Sequence, residues 1–197
     1  MEISAKQVKE LRDITAAGMM DCKKALTECG GDMQQAAEWL RKKGIASAAR
    51  REGREAHQGL VESYIHPGGQ VGVLLEVNCE TDFVARTDDF RELVHNLAMH
   101  IAAAAPESVA REDIDPARIA KEREIFAAQV REQGKPENII DKIVTGKLDK
   151  FYGEVALLEQ KYVRDPDMTI TDYLKSVIGK LGENIVIRRF ARYQIAR

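Results

Sequence analysis

The sequence lacks the long apolar runs and the paired cysteines that mark several large classes of protein. Among its 197 residues no stretch of about eighteen consecutive apolar residues occurs, and the first four residues, MEIS, do not open a basic region followed by an apolar one. Neither a membrane span nor a secretory signal is predicted, and a cytoplasmic location is expected. The three cysteines, Cys22, Cys29 and Cys79, have no C-x-x-C spacing, which is typical of reduced packing residues rather than of a disulfide framework or a zinc site.

Signatures of catalysis are also scarce. The four histidines are His57, His66, His95 and His100, and none belongs to an H-E-x-x-H motif or lies beside a nucleophile elbow. No G-x-x-x-x-G-K-[ST] loop is present, so the chain itself is not expected to bind a nucleotide. His95 and His100 fall on one predicted helix and are expected to be half-exposed packing residues. We expect no catalytic residue, no metal and no cofactor.

The composition fits a soluble, mostly helical protein. Hydrophobic residues make up 44% of the chain and charged residues 31%, which allows one substantial core with a small satellite domain. The formal net charge of −2 argues against a nucleic-acid-binding protein, which normally concentrates positive charge on one face. The basic clusters are interpreted first as solvated surface, next as contacts for an acidic protein helix and last as an RNA site; they lie at residues 41–43, 50–51, 54, 188–189, 192 and 197.

Residues 1–44 predict a domain of three short helices. Ser4 and Gln7 form a capping-box pattern at the start of the first helix. Asp32 is placed to cap the third helix, and Gly44 stands where a helix commonly ends. Such a bundle resembles a ubiquitin-associated domain. Residues 45–56 are small and charged, which is typical of a partly helical, solvated linker.

Residues 57–197 predict an α+β core domain with a three-stranded antiparallel sheet. Segments 60–66 and 71–77 flank the turn-forming residues 67–70, which favours a hairpin, and a third strand is predicted over 184–194.

Helices are expected to cover this sheet. Apolar residues recur at helical spacing over residues 90–101 and again over 171–182. Between them, Pro116 and Pro136 each stand at a plausible first helical position, and an amphipathic pattern follows both. We expect a helical hairpin over residues 116–151.

The segment 78–86, NCETDFVAR, places an acidic residue and an aromatic ring where a predicted strand ends and a helix begins. Thr81 and Asp82 suit a first helical turn, because side-chain oxygens can accept from free helix N–H groups and a carboxylate suits the positive end of the helix dipole. Local chemistry alone therefore favours a simple helix start over a binding site.

Three segments together resemble the translation elongation factor Ts family, the bacterial nucleotide exchange factors for elongation factor Tu. NCETDFVA at residues 78–85 is similar to the family's core signature, and LRDITAAGMMDCKKAL at residues 11–26 to its N-terminal signature. GENIVIRRF at residues 182–190 resembles its closing strand. The resemblance extends along most of the chain, and it implies an N-terminal helical domain and an α+β core from which the helical hairpin projects.

The same resemblance implies a guanine nucleotide exchange factor that acts by binding and makes no covalent bond. Thr81, Asp82, Phe83 and Val84 are expected to enter the nucleotide-binding domain of elongation factor Tu and to displace elements that hold magnesium. Phe83 acts as the wedge in this arrangement. GDP then leaves and GTP can bind.

A further set of partner contacts is implied near the N-terminus and in the hairpin turn. The family uses the region of Met19, Met20 and Lys23 against a helix of the partner, and Arg12 is expected to buttress the same surface. Met19 and Met20 could equally fill the small bundle, although methionine adapts well to contact surfaces. His66 looks like a family histidine that approaches the partner, and a plain turn residue is an equal alternative.

Two features depart from the usual family pattern. Ala16 stands where the family motif Thr-Gly-Ala-Gly has its first glycine, which costs about 1 kcal/mol if that position needs a positive φ. The hairpin and the signature turn occur once, whereas longer members carry two copies of the core subdomain. Resemblance to short members implies a homodimer in a two-plus-two complex with elongation factor Tu, with the edge strand ending at residues 192–194 as the candidate contact.

The alternative function is an RNA- or ribosome-associated helical adaptor that uses the basic clusters and the N-terminal bundle. Binding to elongation factor Tu and binding to tRNA distinguish the two hypotheses. Under the favoured one, neither direct nucleic-acid binding nor membrane binding is expected.

Overall fold

The computed structural model describes residues 3–15 and 17–195, and over these residues the chain forms eight α-helices and five β-strands. The α+β class predicted from the sequence is confirmed. The helices are α1 (Ala5–Thr15), α2 (Met19–Glu28), α3 (Met33–Ala49), α4 (Asp82–Ala85), α5 (Asp88–Ala104), α6 (Pro116–Glu132), α7 (Glu137–Val155) and α8 (Ile170–Leu181). The strands are β1 (Gln58–Ile65), β2 (Val71–Cys79), β3 (Lys161–Tyr162), β4 (Asp165–Thr169) and β5 (Ile185–Gln194).

The chain divides into two compact units. One comprises the described residues up to Leu60 together with Val77–Leu93 and Asp172–Val186, and it holds α1 to α4 and most of α8. The other comprises Val61–Glu76, Val94–Thr171 and the described residues from Ile187 onward. It holds most of the sheet, α6, α7, β3 and β4.

The three N-terminal helices form a small bundle, as predicted. The Ser4 and Gln7 capping box is present, since Ser4 N–H donates to Gln7 Oε1 at 3.0 Å and Gln7 N–H donates to Ser4 Oγ at 3.2 Å. Asp32 caps α3 by accepting from Gln35 N–H at 2.9 Å. Residues three or four apart, on one face of each helix, form the core of this bundle: Val8, Leu11, Cys22, Ala25, Leu26, Ala36 and Leu40.

The predicted helix end at Gly44 is wrong, because α3 continues to Ala49. Gly44 lies instead against α8, where a Cβ placed on Gly179 would be 2.9 Å from the Cα of Gly44. The two glycines allow two helix backbones to approach closely, which is a tertiary reason for glycine that local patterns do not reveal. The domain division at residues 1–44, 45–56 and 57–197 stays a prediction.

The sheet has the strand order β1-β2-β5, so β5 is an edge strand. β1 and β2 form the predicted antiparallel hairpin, in which His66 N–H donates to the Val71 carbonyl at 2.9 Å. Gly68 and Gly69 have φ of 95° and 69°, a backbone conformation that favours glycine. Val73, Leu75, Val77 and Cys79 are buried and alternate with less buried residues along β2, as in a strand with one core face.

The predicted helical hairpin is formed by α6 and α7. Pro116 occupies the first turn of α6, and Asp115 caps it by accepting from Ala117 N–H at 2.9 Å. Pro136 stands at the N-cap of α7, and α7 extends beyond the predicted end to Val155. The buried residues between the two helices are Val130, Ile140, Val144 and Leu148.

Two features were missed by sequence reasoning. β3 and β4 form a small antiparallel pair. His100 is fully buried and not half-exposed: Gln160 Oε1 lies 2.9 Å from its Nε2, and Val163 N–H donates to its Nδ1 at 3.3 Å. His95 is half-exposed as expected and lies 3.2 Å from a Glu62 carboxylate oxygen.

None of the helices in residues 3–15 and 17–195 has an apolar stretch long enough to cross a bilayer.

Candidate partner-binding site

The signature segment turns from strand to helix through one capped turn. β2 ends at Cys79, and Thr81 has the extended backbone of an N-cap residue, with φ of −126° and ψ of 154°. Its side-chain oxygen accepts from Val84 N–H at 3.4 Å. α4, which follows, is a single turn of four residues. The interpretation of this segment as a helix start is therefore confirmed.

Phe83 lies on this turn with 78% of its surface exposed. Among the described residues no other large apolar side chain is as exposed. Burial of a phenylalanine side chain is favourable by roughly 1.5 to 3 kcal/mol. The isolated chain does not gain most of this free energy, because the ring stays in water. Ala85, two residues later, is buried and anchors the turn to its own unit. The backbone is therefore fixed while the ring is presented to solvent.

Glu183 holds the N-terminal end of the turn. Its carboxylate accepts twice from Thr81, from the backbone N–H at 3.0 Å and from the hydroxyl at 2.6 Å. Hydrogen bonds to a charged acceptor are about twice as strong as neutral ones. Sequence reasoning placed this residue in the segment 182–190 but missed its contact with Thr81, because the two residues are 102 positions apart.

Glu80 makes the matching contact in the opposite direction. Its carboxylate accepts from the backbone N–H of Asn184 at 2.6 Å and lies 3.5 Å from a guanidinium nitrogen of Arg54. The buried Asn184 donates in turn to the Arg54 carbonyl at 2.8 Å. The connection from β2 to α4 and the connection from α8 to β5 are thus joined crosswise by two glutamates.

The C-terminal end of the turn is held locally. The Thr87 hydroxyl donates to the Val84 carbonyl at 2.8 Å, and its oxygen accepts from Phe90 N–H at 3.3 Å at the start of α5. Asp82 is partly exposed and pairs with Arg86 at 2.8 Å. An exposed pair of this kind contributes little to stability, so the Asp82 carboxylate stays available to another partner.

Burial raises the pKa of the Cys79 thiol to about 11, and the negative charge of Glu183 acts in the same direction. The thiol is therefore protonated at neutral pH, and its S–H donates to the Thr81 carbonyl at 3.2 Å. Cys79 is a packing residue that adds one more bond to the backbone of the turn.

The predicted N-terminal contact residues lie on the surface of the bundle. α2 begins at Met19, which is 45% exposed, and Met20 is 76% exposed. Arg12 and Lys23 are exposed as well. At these exposures neither Met19 nor Met20 fills the core of the bundle, so that alternative is wrong. Ala16, where the sequence departs from the family motif, lies outside the described residues.

Ile14 is an exposed apolar residue that the sequence analysis did not single out. It is 72% exposed in the last turn of α1. The sequence of α1 does contain a signal for this. Val8, Leu11 and Thr15 lie on one face of the helix, Ile14 lies outside that face, and most of the other residues are charged.

His66 belongs to the other unit, in the turn between β1 and β2. It is exposed, and its Nδ1 lies 3.0 Å from the Tyr64 hydroxyl. Tyr64 also contacts the ring of His95 edge-on, with 5.7 Å between ring centroids. His66 is therefore an exposed side chain whose Nδ1 has a partner within the hairpin.

No group of three or more His, Cys, Asp or Glu side chains in the described residues is arranged to hold a metal ion.

Comparison with known proteins gives a consistent family. The model of the family described as elongation factor TS matches residues 4–177. A protein named elongation factor Ts from Moorella thermoacetica is 60% identical over 193 residues, which cover 98% of this chain and 95% of that protein. Relatives of the same name from Geotalea daltonii and Desulfosudis oleivorans are 56% and 57% identical and cover 99% and 98% of this chain. This chain covers 90% and 98% of those two relatives.

Proposed function

The chain belongs to the elongation factor Ts family, and we propose that it is a cytoplasmic guanine nucleotide exchange factor for elongation factor Tu that makes no covalent bond. The observation that carries this proposal is the exposure of Phe83 on a turn whose backbone is capped at both ends. A ring that its own chain leaves in water can still be buried in a partner, and a turn capped at both ends presents it with little further ordering.

In this proposal the turn of Thr81, Asp82, Phe83 and Val84 enters the nucleotide-binding domain of the partner. Phe83 shifts the loops that support the partner's magnesium ion. Magnesium demands near-ideal octahedral geometry, so a small shift of its ligands weakens phosphate binding disproportionately. GDP then leaves, and GTP binds to the empty site.

Phe83 alone does not supply the whole acceleration. Burial of its ring contributes roughly 1.5 to 3 kcal/mol, and each tenfold in rate needs about 1.4 kcal/mol, so the ring accounts for one or two decades. We assign the remaining contacts to the exposed residues of the N-terminal bundle, Arg12, Met19, Met20 and Lys23, and to His66 in the hairpin turn.

The exchange is reversible by necessity. A factor that weakens nucleotide binding by the partner is itself bound more weakly once nucleotide returns, because the coupling between two ligands is reciprocal. The direction of exchange is then set by the concentrations of GDP and GTP.

We further propose that the functional unit is a homodimer in a two-plus-two complex with elongation factor Tu. Exposed apolar side chains on the sheet, Ile65, Leu74 and Tyr193, line a shallow groove of about 440 Å³. The groove continues to the edge strand β5, whose unpaired backbone groups suit pairing with an identical strand. A second copy of the chain is the occupant that presents the same apolar surface and the same edge.

The structure gives the RNA-adaptor alternative no specific support. Arg54 lies against Glu80, Arg189 pairs with Glu76 at 2.7 Å, and Arg192 donates to the Ala102 carbonyl at 2.9 Å. These three basic residues have partners within the chain, which leaves fewer of the basic side chains free to contact phosphate.

One experiment separates the two functions. Elongation factor Tu loaded with fluorescent GDP is mixed with the protein and excess GTP in a stopped-flow instrument, and filter binding to tRNA is measured in parallel at physiological salt. We expect substoichiometric protein to accelerate GDP release from all of the elongation factor Tu, with little retention of tRNA. Tight tRNA binding without accelerated release would support the adaptor.

A further inference from the structure

We propose that Glu183 is a positioning residue for nucleotide exchange, which holds α4 in the one orientation that presents Phe83 to the partner. The inference rests on the proposed function and extends it to a residue outside the signature segment.

α4 cannot hold its own conformation. It has four residues, far fewer than the dozen or so that an isolated helix needs to be even marginally stable in water. Phe83 is largely exposed and therefore gains little from packing within its own chain. The direction of the ring must therefore be set by the backbone of α4. The conformation of that backbone is set in turn by the contacts at the two ends of α4.

Glu183 orients the residue that starts α4. A threonine hydroxyl has one hydrogen, and Thr81 gives it to Glu183 Oε1 at 2.6 Å. The lone pairs of the same oxygen are then directed to Val84 N–H, which donates to it at 3.4 Å. The second carboxylate oxygen of Glu183 holds the Thr81 backbone N–H at 3.0 Å. One carboxylate thus fixes both the backbone and the rotamer of the cap.

Glu183 is itself held on both sides. Gly182, before it, has φ of 79°, and its carbonyl accepts from Arg51 Nε at 2.8 Å. Asn184, after it, is buried and donates its backbone N–H to Glu80 at 2.6 Å. The carboxylate therefore belongs to a connection with little freedom, and the turn is ordered before a partner arrives. Preorganisation of this kind lowers the entropic cost of forming a complex.

The test measures GDP release from elongation factor Tu over a range of factor concentrations, which yields a plateau rate constant and a half-saturating concentration. The variant is Glu183→Gln, whose neutral side chain has one accepting oxygen, so it cannot accept from both the Thr81 N–H and the Thr81 hydroxyl. We expect the plateau to fall about tenfold, equivalent to about 1.4 kcal/mol, with little change in half-saturating concentration. Asp89→Asn is the matched control, because it removes a carboxylate that pairs with Lys180 at 2.6 Å without touching the turn.

The two parameters distinguish positioning from a merely structural role. If Glu183 only stabilised the fold, a partly unfolded variant would have a smaller active fraction, so the half-saturating concentration would rise and the plateau would stay unchanged. That outcome would overturn the proposal. If Glu183→Gln does not fold, Thr81→Val and Thr81→Ser replace it: we expect the valine variant to lower the plateau and the serine variant, which keeps the hydroxyl, to restore it. A plateau that Thr81→Val leaves unchanged would also overturn the proposal.

A double-mutant cycle with Phe83→Ala separates failure of this proposal from failure of the proposed function. Since Glu183 acts through Phe83, adding Glu183→Gln to Phe83→Ala should change the plateau by no more than about twofold. An equal loss in both backgrounds would overturn the positioning role. If Phe83→Ala alone left the plateau rate constant unchanged, the wedge mechanism itself would be contradicted. If instead Phe83→Ala lowered the plateau and Glu183→Gln left it at the value of the unmodified protein, only the role of Glu183 would be overturned.

Discussion

Phe83 and His100 are two ring side chains whose exposure is the opposite of what their chemistry favours. Phe83 is exposed on a capped turn, although an apolar ring is normally buried. His100 is fully buried, although a histidine is often at least partly exposed. In the neutral ring Nε2–H donates to Gln160 and Nδ1 accepts from Val163 N–H, so both ring nitrogens are satisfied without charge.

This arrangement predicts a pH dependence of stability. Burial lowers the pKa of His100 below its ordinary value of 6.5, so the unfolded chain binds a proton that the folded chain does not. The contribution of His100 to the free energy of unfolding should therefore be complete above about pH 6.5. It should be lost as the pH drops through the lowered pKa. Urea unfolding between about pH 5 and pH 7.5 measures this slope.

Two variants assign the slope to His100. His100→Phe should be less stable at neutral pH by roughly 1 to 3 kcal/mol, because it leaves Gln160 Oε1 and the Val163 N–H without the partners that His100 supplies, and its slope should be smaller. Gly146→Ala, a substitution in α7 that changes no titratable group, is the control and should keep the wild-type slope. An equal slope in His100→Phe would show that other groups cause the pH dependence.

At the scale of helices and strands, two glycines within helices differ in how closely other parts of the chain approach them. Gly179 in α8 faces the Gly44 backbone, with 2.9 Å between a Cβ added at Gly179 and the Gly44 Cα. Gly146 in α7 has no atom within 4 Å of such a Cβ. We expect Gly179→Ala to destabilise the protein by about 1 to 3 kcal/mol and Gly146→Ala to stabilise it by up to about 1 kcal/mol.

Urea unfolding of these two variants tests whether α3 and α8 are in contact. The same substitution in two helices is the control for helix propensity, because alanine is favoured over glycine in both. A stabilising Gly179→Ala would show that the two helix backbones are further apart than the structure places them.

The first turn of α2 carries the second proposed contact surface. We expect the double variant Met19→Ala, Met20→Ala to bind nucleotide-free elongation factor Tu about thirtyfold more weakly, because the two exposed methionines each contribute on the order of 1 kcal/mol when buried. Calorimetric titration measures the affinity. Met20 is 76% exposed, so its loss should not unfold the bundle.

The matched control for this surface is Val163→Ala, which shortens another exposed apolar side chain in the turn between β3 and β4. The control should bind as the unmodified protein does. Equal affinity for the double methionine variant would remove α2 from the interface.

The elements that sequence reasoning found are those specified by local patterns. The β1–β2 hairpin, α5 and the α6–α7 pair have regular apolar spacing bounded by proline or glycine, and these signals lie within a few residues of the elements they define. β3 has only two residues, which is too short for a periodic pattern, and its pairing with β4 depends on neighbouring structure.

The site divides in the same way. The Thr81 cap was predictable from the order Thr-Asp-Phe-Val, because a cap acts on N–H groups two and three residues away. The family resemblance pointed to Phe83, and the structure adds its exposure. Glu183 and Asn184 were not predictable, since their contacts with Thr81 and Glu80 depend on how the chain returns more than one hundred residues later.

At the scale of the whole molecule, the exposed apolar face of the sheet predicts self-association. We expect the protein to sediment as a dimer at micromolar concentration, and Leu74→Asp to sediment as a monomer, because a carboxylate in an apolar interface has no partner. Val163→Asp, at an exposed position outside the groove, should remain a dimer. A dimeric Leu74→Asp would place the interface elsewhere, and a monomeric unmodified protein would contradict the two-plus-two complex.

Dimer formation and exchange are separable properties in this account. The groove side chains Ile65, Leu74 and Tyr193 belong to one compact unit and Phe83 to the other. A monomeric variant should therefore still accelerate GDP release at high concentration, with a higher half-saturating concentration if the second copy contributes to affinity.

The most direct test of the central claim is the plateau rate of fluorescent GDP release from elongation factor Tu at saturating Phe83→Ala, compared with the unmodified protein and with Phe83→Leu. The account predicts a loss of at least about tenfold for alanine and a smaller loss for leucine, with the free energy of unfolding unchanged because the ring is largely exposed. A plateau for Phe83→Ala equal to that of the unmodified protein would contradict it.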